Sequence, residues 1–211
     1  MQPVIPLFPG TKPYQQIPFQ YSLHYIESAG APLLHYIKSA GGPLLHKEFL
    51  AESGENPLQA IAEALCRDIP MNVCVTAYNK SFECSRIKEL AGMFPDLAEH
   101  LLNIRDNIKD LLDPFQAGHY YNRAMGGSFS IKSVLPAIFP DDPELNYHNL
   151  EGVHNGSEAM TIFPRIKDMP AEEQKKARHN LLKYCELDTY AMVKVWGELV
   201  RVLEGDTEDG D

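Results

Sequence analysis

The feature that most constrains this fold is a long helical pattern near the C-terminus. From Ala171 to Leu203 the apolar side chains recur at helical spacing, which predicts one continuous α-helix. Within it, Tyr184 and Asp188 lie four residues apart, so a helix presents both side chains on one face. The apolar positions of the pattern are Leu181, Leu182, Cys185, Met192, Val195, Trp196, Leu199 and Val202.

The order of the other predicted elements indicates a mixed α/β fold. A short, buried, β-branched strand over residues 72–78 is followed directly by a helix over residues 81–93. Asn56 and Pro57 have the N-cap and first-turn positions of an earlier helix. Strands and helices that alternate in this way are typical of α/β domains. The remaining predictions are strands over residues 19–27, 44–50 and 108–112, helices over 97–104, 129–139 and 157–163, and a loop over 140–155.

An eleven-residue segment, residues 23–33, is repeated at residues 34–44 with nine identical positions. One copy predicts a strand and a hairpin turn that leads to the return strand, and the second copy looks like a tandem duplication of that arm. Eleven is an odd number, so we expect the extra copy to be looped out or to form an added hairpin rather than to lengthen one strand. This interpretation is favoured over a recognition hairpin. His24, His35 and His46 recur with the repeat, and their spacing alone does not indicate a metal site.

Length and composition predict one soluble domain over residues 1–203 with an acidic, disordered tail at 204–211. The net charge is -10, and without the tail the chain has 24 acidic against 19 basic residues, so it lacks the basic stripe of a protein that binds DNA by phosphate neutralisation alone. No apolar run approaches the ~20 residues that span a bilayer, which predicts no membrane partner. The four cysteines form no Cys-x-x-Cys pair, which favours a reducing cytoplasm.

Two places in the sequence carry candidate functional side chains. Asn79 and Glu83 follow a predicted strand, at the kind of strand end where α/β folds bind ligands. Glu83 can hold a cation there, and Asn79 can orient a substrate or cap the next helix. A purely structural alternative makes Asn79 the cap and Glu83 a first-turn acid. For Tyr184 and Asp188 the structural alternative is a half-buried aromatic and a buried acid paired with a base.

A small basic cluster precedes these helical residues. Lys175, Lys176 and Arg178 can form a solvated helix face or contact phosphate, and we favour the solvated face.

Four motifs occur in order along the chain: PYQQIPFQYSLH at residues 13–24, YNKSFE at 78–83, GSFSIKSVLP at 127–136 and YCELDT at 184–189. With these motifs the chain resembles the RNase H-like 3′-to-5′ exonucleases of the DEDD group, in the tyrosine subclass. More closely, it is similar to an uncharacterised bacterial domain-of-unknown-function family assigned to that superfamily, over nearly its whole length. The resemblance implies an RNase H-like mixed sheet flanked by helices.

The resemblance implies a chemistry in which four carboxylates hold two divalent cations about 3.5–4 Å apart. By this resemblance Glu83 and Asp188 are two of the metal-binding carboxylates, and Tyr184 orients the attacking water. Asp110, at the next predicted strand, is a supporting candidate. Carboxylate ligands suit Mg²⁺ or Mn²⁺.

The chain departs from the superfamily at the first motif, an Asp-x-Glu on the first strand. No acidic residue precedes Glu27, and the Asp-x-Glu at residues 142–144 lies in a proline-containing loop. We therefore expect two carboxylates and a central strand to be missing, in a fragment of a longer nuclease or in a degenerate copy. Such a sheet has an unpaired edge that can pair with another chain.

The sequence therefore predicts an exonuclease-like domain that acts on single-stranded DNA or RNA ends and has little or no activity by itself. One alternative is a non-catalytic module that binds nucleic acid or protein on the same fold. Another is a different phosphoesterase that uses Glu83 and Asp188 in other roles.

Overall fold

The computed structural model describes residue 1, residues 8–27 and residues 43–205. Most of the second copy of the repeat and the tail from residue 206 onward, for which we predicted a looped-out arm and disorder, lie outside these residues. The strands and α-helices, in chain order, are β1 Gln20–Tyr25, β2 Leu45–Leu50, α1 Pro57–Asp68, β3 Val75–Ala77, α2 Ser81–Met93, α3 Ala98–Asp106, β4 Ile108–Asp110, α4 Asp113–Gln116, α5 Ile131–Ile138, α6 Gly156–Ile162 and α7 Ala171–Leu203.

The strands of the described residues form two sheets of two strands each. β1 and β2 are antiparallel, and Tyr25 lies opposite Leu45 at the hairpin end. β3 and β4 are parallel, and Ala77 is paired with Asp110 at their C-terminal ends. Parallel neighbours present these ends at one edge, where polar side chains can meet. The predicted mixed α/β class is confirmed by this arrangement of helices and strands.

Helix α7 connects the two hydrophobic clusters of the domain. It packs along β1 and β2. Leu181 and Tyr184, in its first half, belong to the larger cluster, which also contains side chains of β1, α1, α2 and α3. Leu187 and Ala191 belong to a second cluster around Phe115. Asp188 therefore lies where the two clusters meet along the helix.

No helix in the described ranges combines the length and the apolar content that crossing a bilayer requires.

Three predictions about the helices agree with the structure. The bounds of α2 and α7 are confirmed. Asn56 is confirmed as the N-cap of α1, because its side chain accepts a hydrogen bond from the Leu58 N–H at 3.2 Å.

The strand predicted at residues 72–78 is wrong in length and burial. Asn72 has a left-handed φ of 61° and its N–H donates to Asn103 Oδ1 at 2.8 Å, so the chain is still turning there. Of the three residues of β3, only the last is buried.

The segment at residues 140–155 is more ordered than the predicted loop. It contains two short 3₁₀-helices, Pro143–Leu145 and Tyr147–Asn149. Asp142 caps the first of them, because its carboxylate accepts a hydrogen bond from the Glu144 N–H at 3.0 Å. This short-range order brings Tyr147 to a fixed position beside α7.

Candidate functional site

The turn between β3 and α2 contains Asn79 and leads to Glu83. Asn79 has a left-handed backbone with a φ of 64°, a conformation that asparagine tolerates better than most residues do. Its side-chain oxygen accepts a hydrogen bond from the Ser81 hydroxyl at 2.7 Å, and Lys80 is the N-cap residue of α2. The interpretation of Asn79 as the helix cap is therefore wrong, while its contact with a substrate stays a prediction.

Asp110, at the end of β4, caps this turn from the neighbouring strand. Its Oδ1 accepts hydrogen bonds from the backbone N–H groups of Asn79 at 2.8 Å and Leu112 at 3.0 Å. Its Oδ2 accepts from the Lys80 N–H at 2.9 Å. Because three backbone donors engage both carboxylate oxygens, Asp110 fixes the start of α2 and holds the turn in place.

Glu83, in the first turn of α2, has a buried carboxylate oxygen that lacks a donor. No hydrogen-bond partner of Oε2 occurs among the described residues. Burial raises the pKa of Glu83 and the negative charge of Asp110 raises it further, against a backbone hydrogen bond that lowers it. A buried carboxylate without a donor is unfavourable, and either a proton or a cation can satisfy such an oxygen. The role of Glu83 as a metal ligand stays a prediction.

Asp188 forms a compact cluster with two tyrosines. The Tyr147 hydroxyl donates to Asp188 Oδ1 at 2.7 Å. The Asp188 carboxylate also lies near the Tyr184 hydroxyl and raises its pKa, and the two tyrosine rings lie 6.2 Å apart at 58°. The structure therefore brings Tyr184 and Asp188 together, as their helical spacing predicts, and adds Tyr147 to them.

The electrostatics of this cluster keep both phenols protonated beside one carboxylate. Burial raises the pKa of Asp188, while the two tyrosine hydroxyls and the positive charge of Lys132 act in the opposite direction. Burial and the neighbouring Asp188 charge raise the pKa of Tyr147 and of Tyr184 above the usual tyrosine range. Both hydroxyls therefore stay protonated at neutral pH. The predicted role of Tyr184 in orienting water stays a prediction.

The two carboxylate groups lie on different helices, Glu83 on α2 and Asp188 on α7. Tyr78, which precedes Asn79, packs against the second hydrophobic cluster, the one that also contains Leu187. No hydrogen bond or ion pair between described residues joins Glu83 to Asp188. No three histidine, cysteine, aspartate or glutamate side chains in the described parts of the chain are grouped so as to hold a metal ion. Their convergence around one cation thus stays a prediction.

A groove of about 670 Å³ adjoins the Asp188 cluster. Lys132 and Tyr147, which both interact with Asp188, line this groove. Lys132 belongs to the third sequence motif and lies in the first turn of α5. An aromatic ring, Phe139, and a lysine along one groove are groups that stack with bases and neutralise phosphates. The other lining residues are Leu135, Pro136, Pro140, Asp141, Asp142, Pro143, Leu145, Asn146, His154 and Asn155.

The basic cluster at the start of α7 is paired with acidic residues. Lys175 contacts Glu172 at 2.9 Å and Lys176 contacts Glu151 at 3.0 Å. Arg178 contacts a carboxylate at 3.2 Å and donates to the carbonyls of residues 50 and 51. These contacts agree with the solvated helix face that we favoured, and Arg178 also fastens α7 to the end of β2.

Sequence reasoning missed the partners that hold the site residues. Tyr147 was assigned to a loop, and its bond to Asp188 spans 41 residues of the chain. The capping role of Asp110 depends on strand pairing, which no local pattern reveals. The third sequence motif contains Lys132 and so pointed to this residue. The motif did not predict the interaction of Lys132 with Asp188.

Comparison with known families matches most of the chain to one family model. The model described as "Domain of unknown function (DUF2779)" matches residues 1–130. This segment includes β1–β4 and Glu83, whereas Asp188 lies beyond it. No solved structure matches the chain.

Two relatives are uncharacterised proteins of small bacteria. The uncharacterised protein UU173 of Ureaplasma parvum serovar 3 is 34% identical over 140 residues, which cover 56% of this chain and 19% of the relative. The uncharacterised protein MG366 of Mycoplasma genitalium is 26% identical over 150 residues, which cover 66% of this chain and 22% of the relative. The chain spans about a fifth of the length of these curated relatives.

Proposed function

The chain belongs to the DUF2779 family, and we propose that it is an exonuclease-like domain that engages single-stranded DNA or RNA ends with the help of Mg²⁺ or Mn²⁺. The proposal includes an RNase H-like arrangement, a mixed sheet flanked by helices that lacks its first strand. It also includes membership of a longer nuclease polypeptide and self-association through an unpaired strand edge.

The observation that carries this proposal is the buried Glu83 oxygen without a donor. Glu83 lies close enough to Asp110 for the two negative charges to repel, and both oxygens of Asp110 are already used by backbone donors. A divalent cation at Glu83 would satisfy the free oxygen and neutralise the excess charge. Proteins supply Mg²⁺ and Mn²⁺ with carboxylate oxygens of this kind.

Asp188 is the second metal ligand in this proposal, and a cation would compete with the tyrosine hydroxyl for its carboxylate. Asp188 would exchange part of its hydrogen bonding to Tyr147 for the cation. A bound cation would supply activation of a water and stabilisation of the leaving oxygen. The protein's own groups would bind the strand, since Lys132 and Phe139 line the adjoining groove.

The direct test measures binding and shortening of a labelled single-stranded oligonucleotide, with Mn²⁺ and with EDTA. We expect Mn²⁺ to strengthen binding of an oligonucleotide with a free 3′ end. In the presence of Mn²⁺, Asp188→Asn should weaken this binding by about tenfold or more. Asp188→Asn keeps an acceptor for the tyrosine hydroxyls. Asp106→Asn, an exposed substitution at the end of α3, is the matched control. Any shortening that Asp188→Asn leaves unchanged would refute the carboxylate assignment.

A non-catalytic binding module is the second candidate, and a specific observation favours it. The Tyr147 hydroxyl already donates to Asp188, which is the state expected of a structural carboxylate. This candidate predicts oligonucleotide binding of equal strength with Mn²⁺ and with EDTA. It also predicts that substitutions in the groove, such as Lys132→Gln, weaken binding while Asp188→Asn does not.

A further inference from the structure

Two histidines face each other across the β1–β2 hairpin. His24 of β1 is paired with His46 of β2 in the strand register, and their ring centroids lie 4.7 Å apart at an interplanar angle of 35°. Both side chains are partly exposed. Directly paired residues of antiparallel strands project from the same face of the sheet, and this face is the one that α7 covers with Thr189.

Hydroxyl groups hold one nitrogen of each ring. His24 Nδ1 lies 2.8 Å from Thr189 Oγ1, and His46 Nε2 lies 2.8 Å from Ser22 Oγ. The two hydroxyls are 2.7 Å from each other. This network joins β1, β2 and α7 through polar groups, and Ser22 at its centre is buried.

One arrangement of the hydrogen bonds uses every group of the network. Thr189 Oγ1 lies 3.1 Å from the carbonyl oxygen of Glu186, to which the threonine hydroxyl can donate. When it does, the threonine oxygen accepts from the Ser22 hydroxyl and from His24 Nδ1–H. His46 Nε2–H then donates to Ser22.

In this arrangement both rings direct a lone pair away from the network. The remaining nitrogens, His24 Nε2 and His46 Nδ1, have no hydrogen-bond partner in the described part of the chain. Burial and the neighbouring His46 lower the pKa of His24, opposed by the charge of Glu186, so this ring is neutral at physiological pH. Metal-binding histidines commonly use their other nitrogen to donate to a fixed acceptor, as both rings do in this arrangement.

The separation of the rings suits two ligands of one ion. Zinc binds histidine nitrogen at about 2.0–2.1 Å with near-tetrahedral angles, which puts the centroids of two bound imidazoles about 5 Å apart. The observed separation of 4.7 Å is close to that value.

We propose that His24 and His46 form a binding site for a transition-metal ion of the Zn²⁺ or Ni²⁺ class, with Ser22 and Thr189 orienting the two rings. Imidazole nitrogen suits such ions, whereas Mg²⁺ prefers oxygen. Because no three metal-ligating side chains are grouped within the described ranges, water completes the coordination. The site is separate from Glu83 and Asp188 and does not depend on the proposed nuclease role.

The test is calorimetric titration of the whole chain with Zn²⁺. We expect one saturable equivalent, an affinity lowered at least about tenfold by His24→Gln or by His46→Gln, and a loss of about tenfold in Thr189→Val, which removes the acceptor of one ring. His119→Gln, at an exposed position, is the matched control and should leave the affinity unchanged. Circular dichroism establishes that each variant is folded.

A second measurement uses the unaltered protein. Nitrogen-15 NMR of the imidazole rings should show a proton on Nδ1 of His24 and on Nε2 of His46, and Zn²⁺ should shift the two remaining nitrogens together. The proposal is overturned if the ring signals of His24 and His46 do not move at saturating Zn²⁺. It is equally overturned if the folded double variant His24→Gln/His46→Gln binds Zn²⁺ as the original chain does.

Discussion

At the scale of single residues, Glu83 makes the free energy of unfolding depend on pH, and the shift of its pKa sets the direction. Its pKa is raised on folding, mainly by burial, so the folded chain keeps the proton to a higher pH than the unfolded chain does. The associated stabilisation is present at low pH and is lost as the pH rises through the folded pKa.

Glu83→Gln removes this loss because glutamine carries no charge. We expect the free energy of unfolding to increase by about 1 kcal/mol at about pH 7 and to change little at about pH 4, where Glu83 itself is protonated. Urea unfolding at the two pH values measures the difference. Glu99→Gln, an exposed change in α3, is the control. A Glu83→Gln protein that is less stable at neutral pH would mean that the carboxylate has a partner we have not identified.

Tyr147 should matter through its single hydroxyl. Tyr147→Phe removes a 2.7 Å hydrogen bond to a carboxylate, and bonds to charged groups contribute about 2 kcal/mol. Since that bond lowers the pKa of Asp188, the variant should raise this pKa further and lose more stability at neutral than at low pH. Carbon-13 NMR of the Asp188 carboxyl group follows the titration. Tyr121→Phe, at an exposed position, should alter neither quantity, and an unchanged Asp188 titration in Tyr147→Phe would contradict the proposed bonding.

At the scale of elements, Asp110 replaces a local helix cap. Lys80, the N-cap residue of α2, makes no side-chain capping bond, and Asp110 accepts the neighbouring backbone donors from across the sheet. Asp110→Ala should therefore destabilise the fold by about 2 kcal/mol, at the upper end of the range for helix caps. Thermal or urea unfolding measures this loss. The control, Asp106→Ala, removes an exposed ion pair and should cost less than about 0.5 kcal/mol. Similar losses in the two variants would rule out the capping role.

The elements also show which parts of the structure could be predicted from the sequence. The bounds of α2 and α7 follow from apolar periodicity sustained over many residues, and Asn56 follows from local capping chemistry. β3 is only three residues long, so a left-handed Asn72 was enough to move its start. The Tyr184–Asp188 pair was predictable because one helix fixes its geometry. The bonds from Tyr147 and Asp110 were not, because they join segments brought together only by tertiary packing.

At the scale of the whole molecule, α7 should make the two hydrophobic clusters unfold together. Leu181 is fully buried in the larger cluster, while Trp196, in the second half of α7, is the single tryptophan of the chain. Leu181→Ala should cost about 2–5 kcal/mol. We expect tryptophan fluorescence and circular dichroism to show the same lowered midpoint. Leu203→Ala, at an exposed position, is the control, and a fluorescence midpoint that Leu181→Ala leaves unchanged would show that the clusters unfold independently.

The central claim is that Glu83 and Asp188 serve one divalent cation, and paramagnetic broadening by Mn²⁺ tests it most directly. Mn²⁺ broadens the backbone amide signals of nearby residues in NMR spectra. We predict that the signals around Glu83 and those around Asp188 broaden at the same Mn²⁺ concentration, and that Glu83→Gln abolishes the broadening at both places. Broadening around Asp188 that persists in Glu83→Gln, or no broadening at either place in the original chain, would contradict the account.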